Sequence, residues 1–313
     1  MYHGIINVYK EKGFTSHDVV AKLRGILQQK KIGHTGTLDP DAAGVLPVCL
    51  GKGTKLCGML TDKDKVYETV LLLGTETDTQ DITGQVLSER SVKMDVETVT
   101  RAIAGFVGGY SQIPPMYSAL KVNGRKLCDL ARAGVEVERK PRQVTIHSID
   151  ILEVNLPRVK MRVHCSKGTY IRTLCHDIGG KLGCGGCMES LVRTKVSCFC
   201  IEDARTLDEI KELADRNCLD SYILKIEDFF EGLQKVVVRK DYSQRIYNGN
   251  PFDYSQITGV EAPLKQDEEV RVFDENNQFV GIYKYDRKNK EFRNVKMFLA
   301  SGICSHSDGG EVK

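Results

Sequence analysis

Long apolar runs are absent from this chain of 313 residues. That absence excludes a membrane-spanning helix, which needs about 20 consecutive apolar residues. The opening residues, Met1-Tyr2-His3-Gly4, also lack the apolar stretch of a secretory signal peptide. A strong charge of either sign is missing too: 45 Lys and Arg against 42 Asp and Glu leave a formal +3, so global charge does not announce a nucleic-acid partner. The composition that remains, 41% hydrophobic and 28% charged, is that of a soluble globular protein. Eleven cysteines, an odd number, are scattered through apolar and polar contexts alike. Without an export signal they are expected as free thiols in a reducing cytoplasm, not as a disulfide frame.

The length suits two domains, or one large domain with an appendage. Charge is uneven along it. Lys10, Lys12, Lys22, Arg24, Lys30 and Lys31 crowd the start, and Lys121, Arg125, Lys126, Arg132, Arg139, Lys140 and Arg142 crowd the middle. Either cluster taken alone reads as a solvated face. As a pair flanking the loop described next, they fit a phosphate-backbone footprint.

That loop is Gly33-His34-Thr35-Gly36-Thr37-Leu38-Asp39-Pro40, continued by Asp41-Ala42-Ala43-Gly44-Val45-Leu46-Pro47. Gly and Pro weaken both helices and strands, so few folding needs call for this mixture. It suggests a backbone held in one shape so that His34 and Asp39 point at something.

Around it the pattern alternates irregularly between strands and helices. Ile5 to Tyr9 reads as a strand, and Thr15 with Asp18 makes a capping box for a helix bearing Val19, Val20, Leu23, Ile26 and Leu27. After the loop comes a helix or strand ending near Gly51-Lys52-Gly53. Val66 to Leu73 is β-like, and Asp95 can cap a helix with Val96, Val99, Ile103 and Phe106. A short helix spans Arg125 to Ala133, with Gly134 placed to end it. Gln143 to Val154 and Val159 to Cys165 read as strands. Ser166-Lys167-Gly168-Thr169 turns into a helix with Ile171, Leu174, Ile178 and Leu182 on one side, and Leu207 to Arg216 is a polar helix. From about Lys235 the texture changes to short strands and turns, and residues 301–313 are expected to be disordered. The first domain is therefore α+β and not doubly wound.

Three ordinary motifs fail on inspection. Gly51-Lys52-Gly53-Thr54 lacks the spacing of a phosphate-binding loop. Lys121-Val122-Asn123-Gly124-Arg125 has Asn where a lysine-nucleophile nucleotidyl transferase needs an acid. Cys184, Cys187, Cys198 and Cys200 could in principle hold zinc through four thiolates. However, one residue separates the second pair and the intervening segment is apolar, which suits buried or spectator thiols. Asp39, Tyr67 and Arg172 remain. Asp before Pro is commonly a turn residue, and a strand tyrosine is commonly half-buried. Arg172 is odder: if Thr169 caps its helix, the arginine lies in the first turn, where the helix dipole disfavours a cation. Something anionic is expected to compensate it.

These residues carry a family resemblance. The loop from Gly33 to Pro47 resembles the signature of the bacterial TruB-type tRNA pseudouridine synthases. Four further segments fall in that family's order: Lys10-Glu11-Lys12-Gly13-Phe14-Thr15-Ser16; Lys65-Val66-Tyr67; Gln112-Ile113-Pro114-Pro115-Met116-Tyr117-Ser118-Ala119-Leu120-Lys121; and Cys165-Ser166-Lys167-Gly168-Thr169-Tyr170-Ile171-Arg172. The resemblance covers residues 1–230. It implies a pseudouridine synthase fold, a central mixed or antiparallel sheet flanked by helices, with 1–230 as the catalytic domain. Arg245-Ile246-Tyr247-Asn248-Gly249-Asn250-Pro251-Phe252 resembles the start of the PUA-like barrel of many members, so 235–300 is expected to be a small β-rich RNA-binding domain.

The implied activity is conversion of the T-loop uridine of elongator tRNAs to pseudouridine, without metal, nucleotide or other cofactor. By the same resemblance Asp39 is the catalytic carboxylate, Tyr67 stacks on the target base, and Arg172 holds Asp39 in a salt bridge. His34 enters the T-loop, Tyr170 and Leu191 line the uracil pocket, and Lys10 and Lys121 also bind substrate. A monomer in the cytoplasm, acting on the tRNA T-arm and not on a membrane, is expected.

Elementary chemistry agrees. Exchanging a C–N for a C–C glycosidic bond needs a carboxylate acting at the sugar, as nucleophile or as base. A paired arginine keeps that carboxylate charged in a buried site. The base must leave its stack, so the pocket needs an aromatic platform and an apolar wall. The chain departs from the family pattern at Glu11, where Pro is frequent, at Gly185-Gly186-Cys187, where Gly-Ala-His is usual, and at Val192, where Arg is frequent. The rival expectation is a tRNA-folding factor that grips the T-loop without chemistry, for which Asp39, Tyr67 and Arg172 need not all be kept.

Overall fold

The computed structural model describes residues 1–258 and 264–299, so the tail expected to be disordered, 301–313, lies outside the described residues. Within them the chain forms two compact units. One comprises Asn7–Val48 and Cys57–Cys218; the other comprises Met1–Ile6, Cys49–Leu56 and the chain from Leu219 onward.

Strand β1 (Gly4–Lys10) leads into helix α1 (Ser16–Ile26), whose capping box forms as expected. The Asp18 amide donates to Thr15 Oγ1 at 3.1 Å and the Thr15 amide donates to Asp18 Oδ2 at 2.8 Å. Strand β2 (Ile32–His34) enters the Gly/His/Asp loop and β3 (Ala43–Leu50) leaves it. The segment left open between helix and strand is thus a strand, because Pro47 would remove an amide and clash inside a helix. Every residue of β3 is buried, as suits an apolar run covered on both faces. A short helix α2 (Cys57–Thr61) precedes β4 (Lys65–Leu73), in which Lys65, Tyr67, Thr69 and Leu71 are buried and the alternate residues are less so.

A hairpin of β5 (Thr75–Thr77) and β6 (Val86–Glu89) follows, then α3 (Val96–Ala104), capped by Asp95. Next come β7 (Gly108–Gln112), the small hairpin β8 (Lys121–Val122) and β9 (Arg125–Lys126), and α4 (Leu127–Arg132). Gly134 closes this helix with φ +70°, a conformation that favours glycine. Strands β10 (Arg142–Asn155) and β11 (Arg158–Cys165) pair antiparallel, and α5 (Ile171–Lys181) leads to β12 (Gly186–Val196). Reading the sequence for periodicity did not identify β12, because its apolar residues follow no simple alternation.

The sheet runs β1-β3-β12-β4-β11-β10-β7. It is mixed: β3 and β12 are parallel, whereas β12, β4, β11, β10 and β7 pair antiparallel in turn. Buried side chains from β4, β11 and β12 form one core with Val99 and Ile103 of α3 and Ile171, Leu174 and Ile178 of α5. Burying each such aliphatic side chain stabilises the fold by about 1.5–3 kcal/mol before entropy is counted. Strand β13 (Phe199–Cys200) folds back on β12, and α6 (Leu207–Asp215) ends this unit with its own capping box.

In the other unit, β14 (Ile223–Leu224) pairs with Ile5 and Ile6 of β1. A second sheet contains β15 (Gln234–Val238), β16 (Phe252–Asp253), β17 (Ile257–Thr258), β18 (Glu269–Phe273), β19 (Phe279–Asp286) and β20 (Glu291–Met297). Its order is β16-β20-β19-β18-β15-β17, with α7 (Ser243–Tyr247) contributing Ile246 to a core built on Val236, Val270, Tyr283 and Phe292. The expected change of texture to a β-rich domain is present.

Candidate active site

Arg172 is the second residue of α5, as its position in the sequence implied, although the cap is Tyr170 and not Thr169. The helix brings the guanidinium into the core, and what compensates it there is a pair of acids. Its Nε lies 3.1 Å from Asp39 Oδ2 and its Nη1 lies 3.3 Å from Asp81 Oδ2. Nη1 also donates to the Thr79 carbonyl at 3.1 Å and Nη2 to the Tyr117 carbonyl at 2.7 Å. Burial is asymmetric across the ion pair: the Arg172 side chain is 6% exposed and that of Asp39 42%. A fixed cation therefore holds a carboxylate that solvent, or a ligand, can still reach.

The Asp39 carboxyl is raised above the ordinary carboxylate value. Burial is the main cause; Arg172 and Lys10 oppose it, while Asp81 and Asp41 add to it.

The loop that carries Asp39 is tied down from three sides. Leu38 N–H donates to Ser16 Oγ at 2.9 Å, which fastens it to the start of α1. Lys10 is fully buried, and its ammonium donates to the carbonyls of Glu11, Phe14 and Pro40 at 3.1, 2.6 and 3.2 Å. Desolvation brings that ammonium down to about 8. Arg193, on β12 and equally buried, donates from Nε to the Val45 carbonyl at 2.7 Å and from Nη2 to the Gly36 carbonyl at 3.3 Å. Gly44 has φ +109°, and a Cβ there would stand 2.2 Å from the Arg193 carbonyl oxygen. Only glycine lets β3 lie this close to β12.

Tyr67 sits opposite the buried Arg193 across the β4–β12 ladder. Burial raises the Tyr67 hydroxyl above its ordinary value, against the nearby Arg193 charge, so the phenol keeps its proton. Leu38, Tyr67, Ile171 and Leu191 belong to a single apolar cluster, so an aromatic ring and an aliphatic wall lie close to the Asp39 loop. Tyr170 is held by its backbone: its amide donates to Gln112 Oε1 at 2.8 Å and its carbonyl accepts from Gln112 Nε2 at 2.9 Å.

His34 ends β2, accepts from the Gly36 amide at Nδ1 over 3.3 Å, and meets the His17 ring edge-on at 5.2 Å. Burial, with His17 and Arg193 nearby, lowers its basicity and favours the neutral imidazole.

Asp39, Tyr67, Arg172, Tyr170 and Leu191 are thus gathered in one region. Lys121 is exposed on the β8–β9 hairpin with Arg125 and Lys126. Lys10 is close to Asp39 but faces carbonyls, not solvent. Periodicity and motif reading missed Asp81, Arg193 and Gln112 as site residues. Their common signal is a polar side chain within an otherwise apolar or β-like segment, which a single sequence does not separate from surface polarity. Cys184 and Cys187 are buried, and burial pushes the Cys187 thiol up to about 11. Among the described residues, the group of three or more potential ligands that comes together is Asp64, His147 and His164.

Comparison with solved structures places the fold in one class. An H/ACA ribonucleoprotein bound to a substrate RNA containing 2′-deoxyuridine aligns with a TM-score of 0.70 at 25% identity, covering 96% of this chain and 86% of that one. A Cbf5-Nop10-Gar1 complex aligns with the same score and coverage at 27% identity. The sheet with its aspartate loop is the pseudouridine synthase fold.

Residues 24–171 match the N-terminal domain of the TruB family pseudouridylate synthases, and residues 172–231 match the tRNA pseudouridylate synthase B C-terminal domain. A protein of Lachnoclostridium phytofermentans named tRNA pseudouridine synthase B is 55% identical, over 95% of this chain and 100% of its own length. One of Alkaliphilus oremlandii with the same name is 44% identical, over 95% and 98%. The chain belongs to the TruB family.

Proposed function

We propose that this chain is a tRNA pseudouridine synthase that isomerises a T-loop uridine, with Asp39 as the catalytic carboxylate. The observation that carries the reading is the Asp39–Arg172 pair: a half-exposed carboxylate held by a buried guanidinium whose nitrogens are all engaged with protein acceptors. The net reaction is an isomerisation. The N1–C1′ bond breaks, the C5–C1′ bond forms, C5 loses its proton and N1 gains one.

Asp39 acts at the sugar, as nucleophile at C1′ or base at C2′, and must be ionised for either role. Arg172 and Lys10 favour that form against burial. Tyr67 offers the flipped base an aromatic face and a protonated phenol. Leu191 and Tyr170 supply the walls that keep the freed uracil close while it turns. Neutral His34 enters the RNA loop as a hydrogen-bonding and stacking group, not as a cation. Lys121 and its hairpin neighbours meet phosphates, whereas Lys10 acts by positioning the loop. The protein works as a cytoplasmic monomer on the T-arm.

A transcript test decides this. Given unmodified tRNA without added metal or nucleotide, the purified protein converts one T-loop uridine, as mapped by pseudouridine-specific chemistry. Asp39→Asn binds the same tRNA and converts none. Full conversion by that variant removes Asp39 from the reaction, and binding without conversion by the native chain restores the folding-factor reading.

A further inference from the structure

On the face of the sheet away from the main core, three side chains meet that the isomerisation does not use. His147 Nε2 lies 3.2 Å from Asp64 Oδ2, and the rings of His147 and His164 are 4.6 Å apart between centroids. One potential ligand atom from each of Asp64, His147 and His164 lies within 4.8 Å of the others. Ligands at about 2.0–2.1 Å from a tetrahedral ion stand roughly 3.3 Å from one another. The His147–Asp64 separation already matches such an edge.

The sheet builds this cluster from three separate segments. Along β11, Met161, Val163 and Cys165 are buried in the core, so His164 turns to the opposite face. Its pairing with β10 shifts by one residue between Ile146 and Ser148, so that His147 is the extra residue of a β-bulge. Bulges re-aim a side chain, and here the imidazole reaches Asp64. Lys65 pairs with Cys165, which sets Asp64 just beyond that end of β4. Two ammonium groups near this turn are engaged elsewhere: Lys65 donates to the Thr61 and Lys63 carbonyls, and Lys167 pairs with Asp62 at 2.9 Å.

We propose that Asp64, His147 and His164 form a binding site for a zinc-class divalent ion, with water completing the coordination. Two imidazoles and one carboxylate suit Zn²⁺, Ni²⁺ or Cu²⁺, whereas Mg²⁺ and Ca²⁺ call for an all-oxygen shell. A bound ion ties the turn before β4 to the β10–β11 ladder. The site lies behind Tyr67, since His164 pairs with Val66 and the neighbouring Val163 pairs with Tyr67. It takes no part in the chemistry at Asp39.

The test uses the full chain stripped with a chelator, titrated calorimetrically with Zn²⁺ and with Mg²⁺, and with Co²⁺ as an absorption probe. One site saturates with Zn²⁺ and none with Mg²⁺, and Zn²⁺ raises the unfolding midpoint. Loss of an outer-shell partner alone weakens metal sites about 10–100-fold, so His147→Ala and His164→Ala each weaken binding at least about tenfold and abolish the shift in midpoint. Asp64→Asn, an exposed and nearly isosteric change, weakens it too and guards against a variant that fails to fold. The eleven cysteines are the competing ligands. Zn²⁺ binding that survives the double histidine variant, a Co²⁺ spectrum with thiolate charge-transfer bands, or no Zn²⁺ binding at all overturns the proposal.

Discussion

Asp39 and Arg172 meet at 3.1 Å, and the arginine of the pair is the buried partner. Removing one member of a buried ion pair costs far more than the pair contributes, because the other charge is left uncompensated. Arg172→Lys therefore does not preserve the site. A lysine ammonium cannot span Asp39, Asp81 and the Thr79 and Tyr117 carbonyls that the planar guanidinium reaches. We expect conversion to fall about 100-fold or more, the scale on which misplaced catalytic groups fail. Single-turnover rates with saturating enzyme measure this directly, and a loss under about threefold contradicts the assigned role.

The raised Asp39 carboxyl predicts the pH profile. Reaction needs the ionised form, so the rate is lost as pH falls through the folded-state value, which lies above that of an ordinary carboxylate. Asp81 is one of the charges holding it up. Asp81→Asn should therefore move the acid limb to lower pH while its plateau falls, because Arg172 loses a partner. An acid limb that stays fixed, or moves upward, rejects this electrostatic account.

Lys10 separates positioning from phosphate binding. In Lys10→Met the carbonyls of Glu11 and Phe14 lose this donor and that of Pro40 keeps only the Gly13 amide at 2.9 Å, so the Asp39 loop is held less firmly on that side. The rate constant for conversion should drop about 10- to 100-fold, with little change in tRNA affinity or its salt dependence. Replacing a lysine that contacts phosphate does the reverse, lowering affinity and reducing the salt slope by about one. Parallel filter-binding and rate measurements on Lys10→Met and Lys121→Met distinguish the two.

Gln112 is buried and satisfies both the amide and the carbonyl of Tyr170. Gln112→Leu keeps the volume and leaves the Tyr170 amide without its acceptor, while the carbonyl keeps the Leu174 amide at 3.1 Å. A buried polar group left without a partner costs about 1–3 kcal/mol, so denaturant unfolding should show a loss of that order. A variant as stable as the native chain indicates that water takes over the amide's bond.

Gly44→Ala tests the close approach of β3 to β12. Its φ of +109° and a Cβ only 2.2 Å from the Arg193 carbonyl oxygen leave no room for a methyl group. Backbone strain of this kind costs about 1–3 kcal/mol by itself. The loop carrying Asp39 should also shift, so stability and conversion fall together. Conversion at the native rate excludes that coupling.

The local elements were legible in the chain because their causes are local. The Thr15–Asp18 box, the Asp95 cap, the alternation along β11 and the terminating Gly134 each depend on residues a few positions apart. The restricted backbone from Gly33 to Pro47 marked the loop that matters, and the cation in the first turn of α5 announced an acid that had to be found elsewhere. What tertiary structure alone decided is which distant residues answer these local demands. Strand β12 inserts between β3 and β4 from far along the chain, so Arg193 reaches the Gly36 and Val45 carbonyls and stands opposite Tyr67. Arg172 draws on Asp81 as well as Asp39, and Lys10 is turned inward although its sequence neighbours are polar. A strand's neighbours and a charge's burial depend on non-local pairing, and no periodicity within a segment records what will fold over it.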